Sequence, residues 1–189
     1  LEPTFGAINL EDIKAPDCFL VEKMCKEAMN IPVFHDDQHG TAIVAAAAAF
    51  NALIVAKKNI EDIRVVALGA GAAGIACLKM LLVMGVKHEN ILMLDSKGVV
   101  HKSRNDLSSE KAEFAQETHL RTIDEALDGA DLFLGVSGPG LLTAEMVGKM
   151  APNPIIFALA NPTPEIMPDE ARKTQPGALI ATGRSDFPN

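Results

Sequence analysis

The chain has 189 residues, of which 48% are hydrophobic and 22% charged, and its formal net charge is −8. That balance excludes a disordered segment, and the acidity argues against a surface for nucleic acid or anionic lipid. Three cysteines (Cys18, Cys25 and Cys77) make no disulfide framework, and with no Trp and no Tyr there is no aromatic platform for stacking bases.

The first residues, LEPTFGAINLEDIK, carry neither the basic region nor the apolar stretch of a targeting signal, and the chain begins at Leu1 rather than Met, as a fragment would. Pro16-Asp17 opens a segment in which Phe19, Leu20, Val21, Met24, Cys25, Ala28 and Met29 keep helical spacing. Ile31-Pro32-Val33-Phe34 reads as extended. Gly40-Thr41 then starts an Ala-rich helix that stops at Lys57-Lys58-Asn59. Its apolar run, Ala42–Ala56, is 15 residues broken by Asn51. That is short of the roughly 20 needed to span a bilayer, so a helix buried on all sides is expected and no membrane partner.

Beyond residue 58 the rhythm changes. Asp62–Leu68 is a β-branched run ending in glycines, a helix follows over 72–84 and Gly85 closes it. Ile91–Leu94 reads as a second strand, 108–117 as helix, and Thr122-Ile123-Asp124-Glu125 as a capping box. Three further strands are expected at Asp131–Val136, Pro154–Ala158 and Ala178–Ala181, with helices starting near Thr143 and Pro168. Five apolar strands alternating with helices predict an α/β fold, a doubly wound parallel sheet of Rossmann type over residues 59–189. Residues 1–58 precede it as a helical segment, and the whole of 1–189 is read as one domain.

The glycine pattern Gly69-Ala70-Gly71-Ala72-Ala73-Gly74 leaves a predicted strand and opens a predicted helix, the context a dinucleotide-binding loop requires. Its glycines allow a tight turn, close approach of the pyrophosphate and close helix–strand packing, while the helix N-terminus offers N–H groups to the phosphates. Asp95 ends the next strand 21 residues after Gly74, where its carboxylate could accept hydrogen bonds from an adenosine ribose. That favours NAD. The adjacent Ser96 and Lys97 could instead hold the 2′-phosphate of NADP, so either cofactor is open.

Two acidic pairs stand out, Glu11-Asp12 and Asp36-Asp37. Converging carboxylates suit a hard divalent cation such as Mg²⁺ or Mn²⁺. Asp36-Asp37 also lies between an apolar strand and a helix expected to be buried, where idle charge is costly. His35 and His39 are four apart, as in a zinc-binding HExxH helix, but a strand before and Gly40 as a breaker after argue against zinc. Gly135–Gly140, with Ser137 and Gly138, and Ala160–Pro164, with Asn161, follow two later strands at the end of the sheet where ligands bind.

Taken together these segments resemble the malic enzymes, especially the short bacterial type. The matching stretches are TFGAINLEDIKAPDCF (4–19), IPVFHDDQHGTAI (31–43), LGAGAAG (68–74), LDSKG (94–98), IIFALANPTPEI (155–166) and ATGRSDFPN (181–189). The resemblance implies oxidative decarboxylation of malate to pyruvate and CO₂ with NAD or NADP and Mg²⁺ or Mn²⁺. Glu11, Asp12 and Asp37 would be metal ligands, with Asp36 beside the metal as a group that moves protons. Gly69, Gly71, Ala72, Ala73, Gly74, Asp95 and Ser96 would hold the pyrophosphate and adenosine end. Ser137 and Gly138 would pass near the nicotinamide, and Asn161 would touch nicotinamide and malate. The family's acid/base tyrosine and lysine would lie upstream of Leu1, and a second substrate-binding asparagine beyond Asn189. The chain is therefore expected to be the cofactor- and metal-binding part of a longer, cytoplasmic, homo-oligomeric enzyme, and inactive alone. Two other classes fit parts of the pattern: an amino-acid dehydrogenase, which needs no acidic pairs, and a non-catalytic NAD(P)-binding regulatory module.

Overall fold

The computed structural model describes all residues, Leu1–Asn189. In chain order the elements are β1 (Ile8–Leu10), α1 (Asp17–Ala28), β2 (Val33–His35), α2 (Thr41–Ala56), β3 (Val65–Leu68), α3 (Ala72–Met84), β4 (Ile91–Asp95), β5 (Gly98–Val99), α4 (Ser109–Ala112), α5 (Ile123–Ala126), β6 (Leu132–Gly135), α6 (Ala144–Lys149), β7 (Ile155–Ala158), α7 (Pro168–Thr174) and β8 (Leu179–Thr182). Six strands form the main sheet in the order β5-β4-β3-β6-β7-β8, parallel except for β5, which turns back antiparallel on β4. Within this sheet the path starts at β3, winds outward through β4 and β5, then crosses to β6 on the other side. The carboxyl ends of β3 and β6 therefore flank the crevice where such sheets bind ligands.

The central strands are apolar along their whole length because both faces are covered. Ala67, Met93, Leu134 and Phe157 pack under α2 and α3, while Val66, Phe133, Ile156 and Ile180 pack under α5, α6 and α7. Burial of these side chains supplies about 1.5–3 kcal/mol each for the larger ones. All five predicted strands are present, as is the Thr122 capping box. The antiparallel β5 was not foreseen, and only Ser109–Ala112 of the expected 108–117 helix is helical.

The N-terminal segment departs further from expectation. A second, two-stranded parallel sheet pairs β1 with β2, Leu10 opposite His35. In α1 the apolar Leu20 and Met24 are exposed while Cys18 and Glu22 are buried. Gly40 does not break the chain: residues Asp36–Gly40 form a π turn that runs straight into α2. The combined helix, Asp36–Ala56, has 21 residues and is apolar and long enough to cross a membrane. Nor is α2 buried on all sides. Ala42, Ala45, Ala49 and Leu53 enter the core, whereas Val44, Phe50 and Ile54 are 70%, 60% and 63% exposed. Small alanines on the inner stripe let α2 lie close against α3 and the sheet, which leaves the bulky residues outside.

Candidate cofactor and metal site

The glycine loop joins β3 to α3, and its three glycines are required for three different reasons. Gly69 sits at φ +122°, a left-handed backbone that other residues rarely adopt. A Cβ on Gly74 would lie 1.8 Å from the Gly69 carbonyl oxygen, so helix and loop touch backbone to backbone there. Gly71, the residue before α3, has φ −94° and ψ −167°, and a Cβ there would meet nothing within 4 Å. Neither conformation nor packing asks for glycine at 71; only a ligand approaching the helix N-terminus would.

That open space belongs to a cleft of about 460 Å³ lined by Gly69, Ala70, Gly71, Asp95, Ser96, Lys111 and Ser137. Ala72, Ala73 and Gly74 form the first turn of α3 behind it, and Gly138 follows Ser137 without lining it. Asp95 is less free than its position at the end of β4 suggests. Arg104 grips it bidentately at 2.9 Å on both oxygens, Lys111 Nζ donates to Oδ2 at 2.8 Å, and the Lys97 N–H donates to Oδ1 at 2.9 Å. Burial pushes this carboxyl up, but Arg104 and Lys111 outweigh it and hold it down at about 2. All four acceptor positions of the carboxylate are in use. Lys97 reaches Asp106 instead of the cleft.

The loops after β6 and β7 are tied by a residue the motif reading passed over. Glu165, fully buried, accepts the Ser137 N–H at 3.0 Å and the Ala160 N–H at 3.1 Å. Gly135 makes room for it, since a Cβ there would fall 2.4 Å from the Glu165 carboxyl carbon. One carboxylate thus sets the spacing between Ser137 and the segment that leads into Asn161. The final Glu of FALANPTPE was the available signal.

Asn161 faces a second cleft, of about 790 Å³, together with Asp36, Asp37, Gly40, Thr41, Arg184 and Asn189. The pairing of β1 with β2 brings the two acidic pairs together, since one follows Leu10 and the other His35. Asp12 has φ 58°, and this left-handed turn aims its N–H at Asp37 Oδ2, 2.9 Å away. Glu11, one residue back, is held by the Asn9 side-chain amide at 2.8 Å. No three acidic, His or Cys side chains close around one point as a metal shell. Asp36 is exposed and Asp37 partly so; the buried polar groups here are His35 and Gln38. His39 is engaged with Glu22 at 2.7 Å, while His35 Nε2 lies 3.4 Å from Asp37 Oδ2.

Comparison with known proteins decides the family. The family model for the malic enzyme NAD binding domain matches residues 38–189. The chain belongs to the malic enzyme family. It is 58% identical to the NADP-dependent malic enzyme of Halomonas elongata over 186 residues, 98% of this chain and 44% of that one. It is 57% identical to an NAD-dependent malic enzyme of Rhizobium meliloti, covering 100% of this chain and 25% of the relative. A crystal structure of the NAD-dependent malic enzyme of Thermotoga maritima superposes with a TM-score of 0.91 at 48% identity, over 100% of this chain and 51% of that one. The chain thus spans about half the length, or less, of these relatives. Membership removes the amino-acid dehydrogenase alternative, and the matching family model is that of an NAD binding domain.

Proposed function

We propose that the chain is the cofactor- and metal-binding part of an enzyme that oxidatively decarboxylates malate to pyruvate and CO₂. Its relatives are named both NADP- and NAD-dependent, and the reading here admits either cofactor. The observation that carries the proposal is the open approach at Gly71, a glycine with no conformational or packing need for being one.

In this reading the N–H groups at the start of α3 bind the pyrophosphate, and Ser96 with the cations around Asp95 faces the adenosine end. Ser137 and Gly138 lie toward the nicotinamide, in register with Asn161 through Glu165. Asn161, donor and acceptor at once, orients both nicotinamide and malate. Glu11, Asp12 and Asp37 offer hard oxygen donors, which fits Mg²⁺ or Mn²⁺ in chemistry. The loop Gly69–Gly74 would hold NAD(P)⁺, which would supply a hydride acceptor, and Glu11, Asp12 and Asp37 would hold the cation, which would supply Lewis acidity for the loss of CO₂. Asp36, exposed in the same cleft as Asn161, is the group of this chain placed to move a proton at the substrate. Residues 1–58 and 59–189 act as one unit, the first supplying the metal side and the second the cofactor side. Three free cysteines fit a reducing cytoplasm.

The test is a chimera in which this chain replaces the matching segment of the Halomonas elongata enzyme. Malate-dependent formation of NADPH or NADH is expected. A chimera that folds and binds cofactor yet has no turnover would leave the regulatory-module reading standing in its place.

A further inference from the structure

Three of the five buried polar or charged residues, Glu22, Gln38 and His35, form one hydrogen-bonded chain whose last member, His35, lies beside Asp37. Burying such groups is costly unless each is paired, so the direction of every bond matters. Glu22, on the buried face of α1, takes His39 Nε2 and Lys26 Nζ on Oε1, both at 2.7 Å. Burial raises its carboxyl, but these two partners outweigh it and hold Glu22 below the usual carboxylate range. An ionised carboxylate accepts and cannot donate. The Gln38 group 3.2 Å from Glu22 Oε2 must therefore be the amide NH₂, and its second proton points at His35 Nδ1, 2.7 Å away. Nδ1 then accepts, and the neutral imidazole of His35 carries its proton on Nε2. That atom is buried, makes no hydrogen bond and lies 3.4 Å from Asp37 Oδ2.

Asp37 Oδ2 thus accepts the Asp12 N–H and has the unpaired His35 Nε2–H beside it at 3.4 Å, while Oδ1 carries no hydrogen bond. We propose that Glu22 and Gln38 are positioning residues, which fix the tautomer of His35 so that Asp37 turns its unoccupied oxygen to a divalent cation. The inference rests on the reading of Asp37 as a metal ligand. The physical reason is that a carboxylate free to rotate presents either oxygen, whereas one held by a fixed donor presents a single oxygen at one angle. Removing partners of this outer kind typically weakens metal binding about 10- to 100-fold.

The experiment uses the 189-residue chain. Nitrogen-15 spectra of the histidine rings in the metal-free chain should show His35 protonated on Nε2 and bare on Nδ1. Mn²⁺ binding, followed by electron paramagnetic resonance, should weaken about 10- to 100-fold in Gln38→Leu, with NAD⁺ and NADP⁺ affinity unchanged and the single His35 tautomer lost. His35 protonated on Nδ1 in the unaltered chain overturns the inference without reference to any metal. So does Mn²⁺ binding that is lost in Asp37→Asn but kept at full strength in Gln38→Leu. An unaltered chain that shows the Nε2–H tautomer and binds no Mn²⁺ overturns instead the reading of Asp37 as a ligand, and the positioning role with it.

Discussion

Replacing Gly71 and Gly74 separately, each by alanine, divides ligand binding from folding at the glycine loop. Gly71 has an extended backbone and open space around the missing Cβ, so Gly71→Ala meets no strain in the free chain. A lower unfolded-state entropy would stabilise it by about 0.4–1 kcal/mol, and alanine is a poorer residue before a helix by a similar amount. The net change in stability should be within about 1 kcal/mol of zero. The new methyl nevertheless occupies the space a pyrophosphate needs at the head of α3. Cofactor affinity should fall at least about tenfold, a loss of about 1.4 kcal/mol, and Gly71→Val should bind still more weakly. Gly74→Ala is the opposite case. Its Cβ would stand 1.8 Å from the Gly69 oxygen, backbone against backbone, and relief requires α3 to move off the sheet. Overpacking of this kind costs about 3 kcal/mol at the upper end of its usual range. For a chain of this size that lowers Tm by roughly 6–12 °C. Thermal and urea unfolding give the stabilities, and calorimetric titration with NAD⁺ and NADP⁺ gives the affinities. A Gly71→Ala chain that binds cofactor as tightly as the parent would refute the assignment of the loop. A Gly74→Ala chain of unaltered stability would refute the packing role.

Mn²⁺ or Mg²⁺ should raise the melting temperature of the chain, by a stabilisation of roughly 2.7 kcal/mol at a hundredfold excess over the dissociation constant. Asp37→Asn should remove most of that response, and equal Mn²⁺ titration curves for the two proteins would show that Asp37 is not a ligand. Glu165→Gln places an NH₂ against one of its two N–H donors, the part-buried one at Ser137 or the buried one at Ala160. It should destabilise the chain by about 1–3 kcal/mol in urea and weaken cofactor binding. An unchanged urea midpoint would mean that the tie between the loops is dispensable. The pH dependence has a definite sign at Asp95, whose carboxyl is held at about 2 against an ordinary 3.8. A depressed carboxyl contributes its stability in full above the ordinary value, and loses it as pH falls from about 4 toward 2. The loss is about 2 kcal/mol over that window. Urea midpoints at pH 6, 4 and 3 should converge for the parent and Asp95→Asn as acid is added; parallel curves would speak against the Arg104 and Lys111 clamp.

Much of the fold was legible because its signals are local. Runs such as Val65–Leu68 and Ile155–Phe157 must be strands covered on both faces, and Gly69–Gly74 between strand and helix has few other uses. The malic enzyme motifs likewise lie in contiguous words of sequence. What the sequence left undetermined depends on partners distant along the chain. Apolar composition made α2 look buried all round, yet which stripe of a helix enters the core depends on how closely its neighbours approach, and α3 selects the alanines. The charge expected to be costly at Asp36-Asp37 is borne elsewhere, because burial falls on His35 and Gln38, whose partner Glu22 comes from α1. Asp95 at the end of β4 is readable from spacing, but its neutralisation by Arg104 and Lys111 arises only when the chain after β5 folds back over it. Glu165 is the sharpest instance. In sequence it is one acidic residue after a proline; in the folded chain it has no exposed surface, and Gly135 leaves the space that lets it join two loops. Local pattern determines which elements form, since backbone geometry and hydrophobic period act over a few residues. Which polar groups are buried, paired or left open to a ligand is decided by tertiary packing, because a hydrogen bond requires its partner within about 3 Å wherever that partner lies in the chain.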